Sequence, residues 1–307
     1  MEYLKELDVT GHSEQALTGL RNRVPKLLVF LEETALSVGE MDASSAQDFQ
    51  AWLVSTGRKD GKSFQSTTIR AYLGAATNFY DYLKRKGLIT TNPFREIRKI
   101  RSEKKLPCNL LKEKQMSLFL EELSRFDQEK ALKRRITRYK MHVIAELMYS
   151  TGLRVSEVAA LRPDDIDLDR GVVTVQQGKG GASRIAYLNE YALQVVQLYL
   201  KRMRPLVFSE WNERNGELLF GVRWSFFSKI VNKNLQETAA FLGLGSFTSH
   251  GFRHAVGYHL LRAGCPIRYI QQILGHKHIK NTEIYTKVDR EDLREVLDTY
   301  HPRKWKS

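Results

Sequence analysis

His250, Arg253, His276 and Tyr285 lie in the last third of the chain, in the strings SHGFRH and LGHKHIKNTEIYT, and Arg154 stands about a hundred residues upstream in TGLRVSE. Two guanidiniums, two imidazoles and a phenol are the parts needed to attack a phosphodiester. A phenol with a pKa of about 10 is protonated at neutral pH and becomes a useful nucleophile only when neighbours activate it. The attacked phosphate gathers negative charge in the transition state, and several cations must converge on it. No short segment can supply them all, so a set scattered in sequence and joined in space is the expected pattern. These residues read as a site that opens a DNA strand with Tyr285.

Each member has a chemical role. Arg154 and Arg253 offer planar forks of donors that match two phosphate oxygens and cannot lose their charge. If each acts as an oxyanion-hole donor does, removing one costs on the order of 3 kcal/mol, or about a hundredfold in rate. The leaving sugar alkoxide departs slowly unless a proton reaches it. Lys179, at the tip of an expected hairpin, suits that general-acid role, which is worth roughly 10²- to 10⁴-fold. His250 and His276 can donate hydrogen bonds to the phosphate or shuttle the tyrosine proton. A phosphotyrosine exchanges one diester for another, so no ATP is required, and guanidinium and imidazole groups replace the divalent cation of a nuclease. No cofactor or metal is expected. The acidic string PDDIDLDRG resembles a calcium loop through Asp165, Asp167 and Asp169, but Arg170 stands where the sharp-turn glycine belongs and Gln176 where the bidentate glutamate belongs.

Every feature also has a plain reading. A lone Tyr beside apolar residues in a helix is usually core, a Lys at a hairpin tip is usually a solubilising charge, and the basic runs at 84–86, 95–105 and 130–140 are each more often solvated helix faces than nucleic-acid contacts. Only the full set raises Tyr285 and Lys179 above those readings. His254, His259 and His278 read as structural or exposed histidines and are left out of the site.

The positioning elements are mostly helical. In the amino-terminal third, Ser13 and Ser66 are candidate N-caps, and Ile69, Tyr72, Leu73, Ala76, Phe79 and Leu83 share one helical face before Gly87. Pro25 either kinks the first long helix or begins a new one. Asn92-Pro93 and the basic stretch that follows mark a seam. The domains are drawn as 1–97 for a helical unit, 98–107 for a linker, 108–288 for the catalytic unit and 289–307 for a carboxyl-terminal tail. Helical patterns recur over 112–125 and 136–150, and Gly152 and Leu153 then interrupt, with Ser156 opening another short helix and Arg154 at the turn. The run GVVTVQQGKGGASRIAYL alternates like two strands joined at Lys179 by Gly178, Gly180 and Gly181. Helix returns from Asn189, most clearly over 224–241, 251–262, 267–274 and 290–299.

Composition limits the target of such a site. A chain of 307 residues suffices for two domains with real cores. The net charge of +14 and isoelectric point near 9.7 point to a polyanion, nucleic acid before an anionic membrane. No apolar run reaches the roughly 18 residues of a membrane span, MEYLKELDVTGHS lacks a signal-peptide pattern, and a soluble, cytoplasmic protein is expected. Cys108 and Cys265, with no CxxC, indicate packing rather than disulfides or a thiolate metal site.

The strings TGLRVSEV, VQQGKGGASRIAYL, SHGFRHAVGYHLLRAG and IQQILGHKHIKNTEIYT resemble, in order and spacing, the active-site boxes of the tyrosine recombinase (integrase) family, which includes the Xer-type enzymes. The resemblance extends over nearly the whole chain, since STTIRAYL and YLKRKGLITTNPFREI are similar to that family's core-binding domain. It implies a mainly α fold with a small β-sheet, in two domains that clamp DNA. It implies Arg154 and Arg253 as the catalytic arginines, Lys179 as the hairpin lysine, His250 as the first histidine, His276 at the position some members fill with Trp, Tyr285 as nucleophile, and Glu157 as the acidic residue supporting Arg154. It further implies a 3′-phosphotyrosyl intermediate, four protomers on two recombination sites, possibly as a dimer per site, and strand exchange through a four-way junction. A type IB topoisomerase and a non-catalytic basic regulator remain as alternatives. The 290–299 helix, with Leu293, Val296 and Leu297 on one side, favours a partner subunit, although folding back on its own domain is the other possibility.

Overall fold

Apolar residues recur at helical spacing through most of the chain, and the computed structural model is mostly helical with one small sheet. It describes residues 2–9, 14–57, 63–98, 100, 110–128, 131–176, 183–205, 217–222 and 224–275. Contacts divide the chain into two units, Met1–Lys104 and Lys105–Ser307.

The first unit contains α1 (Glu2–Val9), α2 (Glu14–Glu33), α3 (Ala43–Thr56) and α4 (Ser66–Arg85). Helix α2 continues through Pro25, so no new helix begins there. Ser66 is the first residue of α4 rather than its cap. Gln65 holds the N-cap position without a side-chain bond, a one-residue displacement that leaves the expected apolar face intact. Ile69, Leu73, Ala76 and Leu83 are buried on it, the first three in a core with Phe30, Phe49 and Leu53 of the preceding helices and Leu83 in a second cluster with Tyr3, Leu7, Leu17 and Leu20. Ser13 lies outside the described residues. The seam at Asn92-Pro93 is docked: Asn92 Oδ1 accepts from Phe94 N (3.0 Å), Asn92 Nδ2 donates to Thr77 O (2.9 Å) and Asp81 Oδ1 (2.8 Å), and Arg95 grips Asp81 with two bonds. Phe94 and Ile97 are buried in the same core, which carries the amino-terminal unit past the seam.

The second unit comprises α5 (Glu113–Ser124), α6 (Leu132–Thr151), α7 (Val155–Ala160), β1 (Ile166–Asp167), β2 (Val172–Val175), β3 (Arg184–Tyr187), α8 (Glu190–Leu198), α9 (Trp224–Phe241), α10 (Ser249–Arg262) and α11 (Ile267–Leu274). Helix α6 begins four residues before its apolar pattern does, because the earlier turn is basic and solvent-facing. Its later half is buried through Val143, Ile144, Ala145, Leu147 and Met148 and packs against α5, α8 and α10. The sheet is antiparallel in the order β1-β2-β3, with Val172 opposite Tyr187 and Val175 opposite Arg184. Strand β1 was not expected; it is two residues of the acidic string, pairing Ile166 with Val173. Carboxylates of that string close turns, Asp165 Oδ2 accepting from Arg162 N (2.8 Å) and Asp167 Oδ1 from Arg170 N (2.9 Å). Cys265 is half-buried beside Val256, Ile270 and Leu274.

Candidate active site

Helix α6 ends on Gly152, whose left-handed backbone (φ 64°) lets its N–H reach Met148 O at 2.9 Å. A side chain here would also collide with α11, since a Cβ on Gly152 would stand 2.5 Å from Leu274 Cδ2. The chain then turns through Leu153 into Arg154, which has extended backbone and is itself the N-cap of α7. Ser156 therefore sits inside the helix rather than capping it. The capping signal is Glu157, three residues past the cap, which reaches back to accept from Arg154 N (2.7 Å, Oε2) and from Arg154 Nη1 (3.1 Å, Oε1). One carboxylate thus fixes both the main chain and the guanidinium of Arg154. The arginine side chain remains 41% exposed while Glu157 is 13% exposed, so the cation is anchored at its inner edge and open to solvent at its outer one.

Arg253 lies in the first half of α10 and is buried. Its Nη1 donates to Gly152 O at 2.7 Å, and its Nη2 donates to Leu274 O. Each terminal nitrogen carries two N–H groups, so one donor from each ties the ends of α6 and α11 together. The sequence-distant arginines are thereby joined: Arg253 holds the carbonyl two residues before Arg154, and also the carbonyl two residues before His276. His250 is exposed, one turn before Arg253 on the same face of α10. That helix starts two residues earlier than the sequence pattern, because Asn232 of α9 accepts from Ser249 N at 2.8 Å and satisfies a first-turn donor from outside. Gly251 follows His250 where no side chain fits: a Cβ there would lie 2.4 Å from the Phe247 ring. Lys179, His276, Tyr285 and the helix expected over 290–299 lie outside the described residues.

Two histidines left out of the site are accounted for. His259 is buried between Tyr149 OH (2.9 Å from Nδ1) and Leu111 O (3.0 Å from Nε2). A carbonyl can only accept, so Nε2 bears the proton and Nδ1 accepts from the tyrosine. Burial holds the imidazole below its ordinary pKa. Burial, then the nearby His250 and Arg253, depress the pKa of half-buried His254 as well.

One residue of this network escaped sequence reasoning. Arg184, first in β3, donates from Nη2 to Glu157 Oε2 at 3.0 Å and is only 13% exposed. Alternation along RIAY places Ile185 and Tyr187 as the apolar pair, yet both are exposed, at 54% and 70%, and the strand turns Arg184 and Ala186 inward. A charged residue in register with the buried face of its hairpin partner was the signal available.

With this geometry in place, comparison identifies the class. The chain belongs to the Phage integrase family, which it matches over residues 109–292, with the Phage integrase SAM-like domain matched over 1–101. It is therefore a tyrosine recombinase, an enzyme that cleaves and rejoins DNA strands. Among its relatives are the tyrosine recombinase XerD of Neisseria meningitidis, 30% identical over 293 residues (95% of this chain and 93% of the relative), and that of Vibrio vulnificus, 27% identical over 300 residues (95% and 91%). The fold matches the Tn1549 transposon integrase in complex with a circular intermediate DNA, with a TM-score of 0.67, 18% identity and coverage of 96% of this chain and 97% of that one.

Proposed function

We propose that this recombinase acts at a specific duplex site through Tyr285, Arg154, Arg253, Lys179, His250 and His276, with Glu157 supporting Arg154. Tyr285 gives its proton to a histidine of the site as Oη attacks the phosphorus, the bond from phosphorus to the 5′ oxygen breaks, and a 3′-phosphotyrosyl ester forms. Lys179 delivers a proton to the departing 5′ oxygen. Arg154, Arg253 and the histidines hold the phosphoryl oxygens as charge accumulates. Attack by the 5′ hydroxyl of a partner strand reverses the step and releases Tyr285, so strands are exchanged through a four-way junction. The observation that carries this reading is the Arg253 bond to Gly152 O, which joins two arginine-bearing segments about a hundred residues apart at one place.

The amino-terminal helical unit acts as the core-binding domain, and the active assembly is a tetramer on two sites, built from a dimer on each. Relatives described as XerC and XerD recombinases favour recombination over simple relaxation or regulation. Among the described residues no helix is long and apolar enough to cross a membrane, which fits work in the cytoplasm.

Footprinting on DNA flanking the encoding gene supplies the site, and a nicked duplex of that site traps the covalent adduct. Arg154→Ala should retain binding within a few-fold while adduct formation falls about a hundredfold, the cost of one transition-state donor. Adduct formation at the wild-type rate would remove Arg154 from the reaction.

A further inference from the structure

Among the described residues of the catalytic unit, Arg184 stands out as a charge whose donors are only partly met. Its Nη2 is on Glu157, but Nε and Nη1 are shielded from solvent and have no hydrogen-bond partner among the described residues. A buried guanidinium with unmet donors costs stability, and an apolar residue at this inward strand position would pack without that cost. Such a group calls for a reason other than folding.

The contacts give one. Glu157 accepts three bonds: the main-chain N–H and Nη1 of Arg154, and Nη2 of Arg184. Oε2 is shared between Arg154 N and Arg184, so the carboxylate plane is set by both ends, and its other oxygen then has one orientation to offer the Arg154 guanidinium. Arg184 is itself wedged against the end of α11. A Cβ on Gly275 would lie 2.7 Å from Nε and 2.9 Å from Cδ, and only a bare, left-handed glycine (φ 62°) leaves that space. Three separate segments meet through this one side chain: the TGLRVSEV turn, the start of β3 and the Gly275 turn.

Resting on the recombinase reading above, we propose that Arg184 is a positioning residue for strand cleavage, orienting the Arg154 guanidinium through Glu157. It touches no substrate. Its contribution is to fix the angle from which Arg154 meets the phosphate, where a displacement of about 1 Å can cost about a hundredfold in rate.

The test uses the full chain and the nicked duplex of the footprinted site. Single-turnover adduct formation at saturating protein, DNA affinity and the thermal midpoint are measured for Arg184→Met, Arg184→Lys, Glu157→Gln and the Arg184→Met/Glu157→Gln pair. Arg184→Met should bind DNA within about twofold of wild type and form adduct at least about tenfold more slowly, Arg184→Lys should recover part of the rate, and Arg184→Met should add less than about threefold in the Glu157→Gln background. Wild-type cleavage in the same assay carries the recombinase reading. With it in place, an Arg184→Met that cleaves at the wild-type rate, or whose penalty multiplies in full with that of Glu157→Gln, overturns the positioning role. Should Arg184→Met fail to fold, Arg184→Lys decides: slowed cleavage with intact binding supports the role, and unchanged cleavage overturns it.

Discussion

A single backbone carbonyl, that of Gly152, does more to assemble the site than any side-chain pair. It ends α6, precedes Arg154 by two residues and accepts from the buried Arg253. Two independent constraints fall on this residue: a left-handed φ that costs other residues about 1–2 kcal/mol, and a Leu274 methyl 2.5 Å from any added Cβ, an overpacking that costs about 1–3 kcal/mol. Gly152→Ala should therefore lower unfolding stability by about 2–5 kcal/mol in denaturant titration and slow adduct formation, because Arg253 would follow its displaced acceptor. An unchanged denaturation midpoint would show that the turn tolerates a side chain and that Arg253 is held by other means. Most of this residue-level picture was legible in TGLRVSE and SHGFRH, where residue type and order suffice. Arg184 was not, because its partner Glu157 is 27 positions away and nothing local announces that a strand will turn its charge inward.

Helix α6 carries a second pair that the active site does not use. His142 and Glu146 are one turn apart, both buried, with Nδ1 and Oε1 4.0 Å apart, beyond hydrogen-bond reach. Burial pushes the Glu146 carboxyl up from 4.5 to about 7 and the His142 imidazole down from 6.5 to about 4. The unfolded chain ionises Glu146 near 4.5 while the native chain keeps its proton to about 7, so this residue's stabilising contribution is complete below 4.5 and is lost as pH rises through 7. His142 works in the opposite direction: the unfolded chain takes up a proton below 6.5, the native chain only near 4, and stability is lost as pH falls through that window. Glu146→Gln should consequently raise the thermal midpoint more at pH 8 than at pH 5, the difference amounting to about 3 kcal/mol at most. Equal effects at the two pH values would mean that Glu146 is ionised in the fold and paired. The helix itself was legible from its period, although its first turn was not, since the three basic residues 133–135 interrupt the apolar pattern. The two-residue β1 escaped because Ile166 and Asp167 acquire strand character only by pairing with Val173 and Val172.

Across the whole molecule, order and charge carried the reading. Four short strings, each weak alone, occur in an order and spacing that resemble the tyrosine recombinase boxes, and +14 of net charge matches a polyanionic partner. Membership of the Phage integrase family accords with both. The account depends most on the nucleophile. Trapping the adduct on a nicked duplex in the presence of a chelator, digesting the complex and mapping the nucleotide-bearing peptide by mass spectrometry tests it directly. The account predicts undiminished adduct with the nucleotide on Tyr285, and none with Tyr285→Phe. A nucleotide on any other residue, adduct persisting in Tyr285→Phe, or scission that stops when divalent cations are removed would contradict it.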